Sequence, residues 1–298
     1  MRRSLPLAVL AILAAVAMPA AADPIAFGVS FNKLYRIDLA NGQTTLIGET
    51  GFNDVEGLAL SDDGVLYGIV DSTKTLITID KQNGHGTAVG GIAGNTGLTG
   101  QGVGQFDALD FGLSFTCDGR LFASSDTTRK LWQINPRTGQ ATFASQLGFH
   151  MTGLAANRDG LFGLASQGDE GVYRINPATG VATKFSSIAP NLVFADGGLD
   201  FDANGNLWAI LDYRPPDDNR NSDIVRIDAT TGATTFVSST LPEMEGLAIA
   251  SVAACRGPAP VVEPHEPIPS GSLLSRFLLA IALIGSGLFA LALARRNA

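Results

Sequence analysis

The sequence has few of the side chains from which enzyme centres are usually built. Its 298 residues include three histidines, His85, His150 and His265, and two cysteines, Cys117 and Cys255. The chain outside its last apolar segment holds no Gly-x-Ser-x-Gly sequence, and "GQGVG" at 100–104 lacks the Lys-Ser/Thr pair of a phosphate-binding loop. These absences argue against a serine-hydrolase elbow and a P-loop nucleotide site.

Basic residues are also scarce. Only 16% of the residues are charged, and residues 23–275 contain all 28 acidic residues but 15 of the 20 bases, which gives this part a net charge of −13. Such a body repels phosphate backbones and anionic lipid. We therefore expect no nucleic-acid partner.

Long apolar runs stand at the two ends. Arg2 and Arg3 precede an apolar run that ends in "AAA" at 20–22, the order of a secretory signal peptide over 1–22 with cleavage after Ala22. Phe277–Ala294 are 18 uncharged residues before Arg295 and Arg296. At 1.5 Å per residue they span about 27 Å, so we predict a transmembrane helix within 273–298, with the arginines in the cytoplasm.

A six-residue pattern recurs five times between these ends: "IDLANG" (37–42), "IDKQNG" (79–84), "INPRTG" (134–139), "INPATG" (175–180) and "IDATTG" (227–232). Asp or Asn, sometimes Pro, and a closing Gly are turn residues. Alternating runs such as "LYRI" and "QTTLIG" flank each copy, which predicts β-hairpins. The closing glycines lie 42, 55, 41 and 52 residues apart, a period typical of propellers and solenoids.

A second hairpin lies between the repeated turns. It has an apolar strand that opens on Gly-Leu, an Asp-Gly or Asn-Gly turn, and a strand with an aromatic residue, as in "EGLALSDDGVLYGIVD". One unit is therefore four antiparallel strands, A (innermost) to D (outermost). Four units span about 57–90, 112–147, 153–187 and 198–238, and we number them blades one to four.

The remaining strands complete a fifth unit. Residues 25–48 supply strands B, C and D without an A strand, whereas "GLAIA" at 246–250 supplies an A strand alone. Joining them would close the ring and remove an exposed strand edge. We predict an all-β, five-bladed β-propeller over 23–255, with six blades as the alternative if 91–110 contains strands.

The "INPxTG" turns resemble those of extracytoplasmic propellers with YVTN- or quinoprotein-like repeats. The tail, "EPIPSGSLLS" (266–275) followed by the apolar run and two arginines, resembles the exosortase-type sorting signals PEP-CTERM and IPTL-CTERM. Ile268–Pro269 matches the IPTL opening, whereas Ser270 and Gly271 replace Thr-Leu. The resemblance implies a sorting or processing peptidase as partner and cleavage near Pro269. Residues 256–272 are Pro-rich and form an extended linker.

Carboxylates gather on one face, where the D–A and B–C connections meet; we call this end of the channel the acidic rim. Asp71, Asp126 and Asp212 end B strands there. Just before Gly-Leu stand Glu56, Phe111, Thr152, Gly197 and Glu245, and further acids lie on D–A connections: Asp54, Asp107, Asp110, Asp196 and Glu243. Blades one and five are neighbours in a closed ring, so Glu56 and Glu245 should be adjacent.

Adjacent carboxylates repel each other unless they share a proton or a cation. Oxygen ligands suit Ca²⁺, which makes Glu56 and Glu245 candidate metal ligands and His150, Asp71, Asp126 and Asp212 candidate ligand-binding residues. Alternatively, backbone N–H groups or water satisfy these acids, and His150 is packed. The expanded connections 91–110 and 213–223 form either a binding surface or tolerated insertions. "EGLA" and "EGLAI" resemble strand starts of lactonase-like and phytase-like propellers.

The two cysteines are predicted on the face opposite the acidic rim. Cys117 lies in the A–B turn of blade two and Cys255 follows the last A strand. A disulfide requires Cα atoms within about 7 Å, and blades two and five are not neighbours. The bond therefore forms only if the chain crosses the channel exit, and both outcomes stay open.

These observations favour an exported, membrane-tethered propeller that acts as a binding or scaffolding module at the cell surface for a small molecule or a surface protein. The alternative is a metal-dependent extracytoplasmic hydrolase or lactonase with its site at the channel mouth. A structural component of an extracellular matrix is a third class.

Overall fold

The computed structural model describes residues 24–98, 111–188, 193–213, 219–249 and Cys255. The predicted signal peptide, the linker, the sorting motif and the transmembrane helix lie outside these residues, as do 99–110 and 214–218 of the two long connections. Among the described residues, no helix is long and apolar enough to cross a bilayer.

Twenty strands form five antiparallel four-stranded sheets. Blade one contains β4 (Val55–Leu60), β5 (Leu66–Val70), β6 (Thr75–Ile79) and β7 (Gly86–Ala88). Blade two contains β8 (Phe111–Phe115), β9 (Leu121–Ser125), β10 (Lys130–Ile134) and β11 (Ala141–Gln146). Blade three contains β12 (His150–Asn157), β13 (Gly160–Ser166), β14 (Gly171–Ile175) and β15 (Ala182–Ser186). Blade four contains β16 (Asp196–Phe201), β17 (Leu207–Asp212), β18 (Asp223–Ile227) and β19 (Thr234–Ser239).

The fifth sheet joins both ends of the domain. It has the order β20 (Leu247–Ile249), β1 (Ile25–Ser30), β2 (Lys33–Asp38) and β3 (Thr44–Glu49). Ala26 pairs with Ile249 and Gly28 with Leu247 in antiparallel register. The prediction of five blades with a split closing blade is confirmed. The described part of 91–110 adds no sixth sheet, since its short 3₁₀ turn, Val89–Gly91, follows β7 directly.

The repeated hexamers are turns that also dock neighbouring blades. In each copy the first Asp or Asn accepts the N–H of the residue two positions later through its side chain, and its backbone carbonyl accepts the N–H of the closing glycine. The closing glycines have φ between +73° and +81°. A Cβ on Gly42 or Gly180 would also collide with the backbone of the preceding blade's outer strand, at Ser239 or Gln146. The hexamer therefore recurs because it meets two requirements at once.

The Gly-Leu starts of the A strands have a similar double role around the channel. A Cβ on any of five glycines would collide with the inner strand of the next blade; they are Gly57, Gly112, Gly153, Gly198 and Gly246. These five residues form a closed ring of close backbone contacts. Glycine is needed here for approach and not for backbone conformation, because none of the five has positive φ.

The hydrophobic core lies between blades. Five buried clusters each combine residues of two adjacent sheets, such as Val29 and Leu34 of blade five with Val55 and Leu58 of blade one. Inner strands are buried on both faces, which explains their lack of polar alternation, whereas the outer strand β3 is mostly exposed.

Candidate functional site

The acidic rim is positioned by the first residues of the inner strands. The N–H of Val55 donates to the carbonyl of Phe31 (3.1 Å), and the N–H of Glu245 donates to the carbonyl of Val29 (2.9 Å). These bonds attach the starts of β4 and β20 to the B–C turn of blade five. Glu56 and Glu245 therefore approach the channel from adjacent blades.

Three buried carboxylates meet at this end. One oxygen each of Glu56, Asp196 and Glu245 lies within 4.8 Å of the others. The residues are 5%, 6% and 4% exposed, so the bulk solvent screens their charges poorly. Glu56 lies in an irregularity of the β4–β5 pairing between Val55 and Leu58, which aims it differently from a regular strand residue.

Asp196 carries the strongest electrostatic signature of the three. Burial raises its pKa to about 8, and the charges of Asp126 and Asp212 add to the rise. The N–H of Gly197 donates to its Oδ1 at 2.6 Å, and its carboxyl is hydrogen-bonded to that of Glu56. At neutral pH and without a cation, Asp196 and Glu56 therefore share a proton.

A second group of acids continues from the first. Asp212, Glu243 and Glu245 also bring carboxylate oxygens within 4.8 Å of one another. Asp212 Oδ1 accepts the hydroxyl of Ser222 (2.7 Å) and the N–H of Glu243 (3.0 Å). The two groups share Glu245, so the acidic rim is one continuous patch of oxygen ligands over blades one, four and five.

Asp71 has its own counter-ion. The ammonium of Lys74, itself buried, forms an ion pair with Asp71 and also donates to its carbonyl. Burial still raises the pKa of Asp71, although the hydrogen bond and charge of Lys74 lower it. Asp71 is thus largely neutralised within blade one and does not join the two carboxylate groups.

Asp126 and His150 also lie outside those groups. Asp126 Oδ2 accepts the side-chain amide of Gln167 at 2.7 Å, and its Oδ1 accepts the N–H and hydroxyl of Thr127. His150 begins β12 and pairs with Ser166. Its Nδ1 is buried and has no hydrogen-bond partner. Neither residue shares a carboxylate group with Glu56 and Glu245.

Below the carboxylates the channel narrows sharply. A cavity of about 10 Å³ is lined by Glu56, Thr152 and Asp196 together with the ring glycines. This is about the space of one water molecule. An ion or a water fits there, whereas an organic substrate does not.

The ends of the connection 213–223 are anchored beside the acidic rim. The hydroxyl of Tyr213 donates to Asp223 (2.8 Å), and Arg220 both pairs with Asp223 (2.7 Å) and lies over the Tyr213 ring at 4.0 Å. Burial and the hydrogen bond to Asp223 raise the pKa of Tyr213. The connection is held from both ends.

The opposite end of the channel is covered by the disulfide. Cys117 and Cys255 are bonded with their Cα atoms 5.2 Å apart. Cys255 lines a cavity of about 50 Å³ with residues of all five blades, so the chain crosses the channel exit. Here Asp200 accepts the N–H of Ile249 at 2.7 Å, and burial raises its pKa to about 7. The last inner strand is thus fixed from blade four as well as from β1.

Residues 59–212 match the family model described as a repeat of unknown function (DUF6923). The chain belongs to this repeat family. No curated protein shows a sequence match to this DUF6923 chain.

Several solved structures resemble its fold. Virginiamycin B lyase from Staphylococcus aureus is 18% identical, with a TM-score of 0.42 over 70% of this chain and 63% of the lyase chain. A chain of a nidogen/laminin complex is 14% identical, with a TM-score of 0.49 over 78% of this chain and 99% of that chain. A protein of unknown function from Bacteroides caccae is 13% identical, with a TM-score of 0.41 over 72% of this chain and 73% of its own. The aligned part covers less than two thirds of the lyase chain, and these weak likenesses carry no argument on function.

Sequence reasoning placed Glu56 and Glu245 together, as the structure does, but did not assign Asp196 to their site. The residue directly before Gly-Leu in blade four is Gly197, and the carboxylate stands one position earlier. The "DGGLD" start, with one glycine more than "EGLA", was the available signal.

Proposed function

We propose that this repeat protein is a cell-surface binding module, exported and tethered to the membrane, whose acidic rim binds a divalent cation such as Ca²⁺. The observation that carries this proposal is the convergence of Glu56, Asp196 and Glu245 from three different blades to within 4.8 Å. Like charges at such distances in a buried site must share a proton or a cation.

The chemistry of the donor set supports Ca²⁺. The ligands are carboxylate oxygens, which hard cations prefer, and the second group, Asp212 and Glu243, offers further oxygens beside the first. Lys74 neutralises Asp71 and not this cluster. A bound cation would replace the proton that Asp196 and Glu56 share.

The size of the cavity supports ion binding over the hydrolase alternative. About 10 Å³ beneath the carboxylates accommodates an ion or a water but no glycosidic, ester or lactone substrate. A cation here would fix the starts of β4, β16 and β20 relative to one another. It would thereby stabilise the connections that form the ligand-facing surface of the module.

Calcium titration of the full chain, freed of metal with EDTA and studied at pH 8, tests the proposal. We expect one cation per chain, with a dissociation constant at or below the roughly 10⁻⁴–10⁻³ M of extracellular calcium modules. Glu56→Gln and Glu245→Gln should each weaken binding at least about tenfold. Asp228→Asn, which changes an exposed acid of a repeated turn, is the matched control and should bind as the parent does.

Absence of binding heat together with an unchanged melting temperature in the parent chain would contradict the cation site. Equal affinity in all four proteins would place the cation elsewhere. Circular dichroism of each variant excludes misfolding as the cause of a loss.

The tethering part of the proposal rests on the two apolar ends and the Pro-rich tail. Mature protein should begin at Asp23, and a chain that stops at Ser272 should appear in the medium instead of the membrane fraction. Retention of the truncated chain in the membrane fraction would refute the tether.

A further inference from the structure

A groove between blades two and three carries chemistry opposite to that of the acidic rim. It lies on the side of the A–B turns and has a volume of about 770 Å³, within the range of about 300–1,000 Å³ typical of small-molecule sites. Its lining includes Arg120, Arg158 and Arg174 against two acids, Asp118 and Asp159. We call it the arginine groove.

The three guanidinium groups are differently engaged. Arg120 Nε donates to Asp118 (2.8 Å) and Arg158 Nε donates to the carbonyl of Cys255 (3.0 Å). Arg174 lies 5.3 Å from the centroid of the Phe162 ring and has no acidic partner among the described residues. All three residues are exposed. Terminal guanidinium nitrogens therefore face the groove from three separate elements.

The repeats depart from one another at this point. The A–B turns read "SDDGV" in blade one and "DANGN" in blade four, but "TCDGR" and "NRDGL" in blades two and three. Only the latter two place arginine in the turn. A shared structural role of the turn does not require arginine, because blades one and four fold without it.

We infer that the arginine groove binds a short acidic saccharide, whose anionic groups pair with Arg120, Arg158 and Arg174. Guanidinium groups bind carboxylate, sulfate and phosphate through two parallel hydrogen bonds. Asn157 and Asn176 supply donors and acceptors for sugar hydroxyls, and Val181 offers an apolar contact for a ring face. The net charge of −13 over residues 23–275 disfavours long polyanions.

The disulfide orders one wall of this groove. Cys117 lines it, and the carbonyl of Cys255 holds Arg158. Preorganised side chains lose less conformational entropy on binding. Reduction of the Cys117–Cys255 bond should therefore weaken saccharide binding without removing Arg120 or Arg174.

Calorimetric titration of the full chain with trigalacturonate tests the inference. EDTA is present throughout, so the outcome does not depend on the cation proposed for the acidic rim. Trigalacturonate should bind and the uncharged maltotriose should not, with affinity falling as NaCl rises. Arg174→Gln should weaken binding at least about tenfold. Arg226→Gln is the matched control, because Arg226 occupies the equivalent position in β18 and lies over Trp208 at 6.0 Å.

Sodium phosphate and sodium sulfate form separate arms. Binding of these ions without trigalacturonate would overturn the saccharide assignment. No binding of trigalacturonate, equal binding of maltotriose, or equal loss in the Arg174 and Arg226 variants would each overturn the inference as a whole.

Discussion

The carboxyl groups inside the channel and those in the repeated turns behave in opposite ways. Burial raises the pKa of Asp196 to about 8 and of Asp200 to about 7. In the turns, the hydroxyl of Thr116 and the Arg120 side chain lower the pKa of Asp118, and the backbone N–H groups of Thr231 and Thr230 lower that of Asp228. Turn acids are thus satisfied by their own loop, whereas channel acids depend on a proton, a distant N–H or a ligand.

The largest expected effect comes from the channel ring. Gly246→Ala would place a Cβ against the carbonyl oxygen of Glu56 and force β20 away from β4. We expect a loss of more than about 4 kcal/mol, enough to prevent folding of a typical domain. Gly148→Ala is the control, since a Cβ there meets nothing within 4 Å. Equal urea midpoints for the two variants would refute the ring of close contacts.

Loss of the disulfide should rank second. The bond closes a loop with a sequence separation of 138 residues, and replacing both Cys117 and Cys255 by Ser should cost about 2–4 kcal/mol. Thermal unfolding under non-reducing conditions measures the difference. Dithiothreitol should lower the stability of the parent to that of the double variant and leave the variant unchanged. A parent insensitive to dithiothreitol would contradict this expectation.

A pH-dependent effect is expected for Asp196→Asn. The folded carboxyl keeps its proton up to about pH 8, whereas an unfolded Asp ionises near pH 4. The unfolded state therefore binds fewer protons between these values, and the parent loses stability as pH rises, by up to about 1.4 kcal/mol per pH unit. Asn cannot ionise and escapes this loss.

Urea unfolding in EDTA at pH 5 and pH 8 measures the difference, which should shift in favour of the variant by about 1–3 kcal/mol. Ca²⁺ at pH 8 should stabilise the parent and not Asp196→Asn. A constant difference between the two pH values would show that Asp196 is ionised throughout.

The smallest effect belongs to the turns. Asp118→Asn removes an exposed ion pair with Arg120 whose side chains are 46% and 56% exposed for Arg120 and Asp118. Such pairs contribute little in water, so the stability at pH 7 should change by no more than about 0.5 kcal/mol. A loss as large as that in the channel would remove the distinction between the two sets of acids.

The fold was predictable because its signals are local and repeated. The hexamers fix hairpins by turn chemistry alone, and the leftover strands at 25–48 and 246–250 reveal the split blade. The site was predictable only as far as the ring order goes, which makes Glu56 and Glu245 neighbours. Asp196 reaches them across the narrow channel from blade four, and the width of the channel depends on packing that no local pattern records. The same limit applies to Lys74, whose burial beside Asp71 follows from tertiary contacts.

The split blade also sets a timetable. Synthesis proceeds from the N-terminus, so β1, β2 and β3 are the first strands made, yet β1 obtains its inner neighbour only when Leu247–Ile249 emerge, after every other blade. The earliest segment of the chain must wait for the latest one. Oxidation of Cys255 with Cys117 follows that step and seals it, so maturation finishes where translation began.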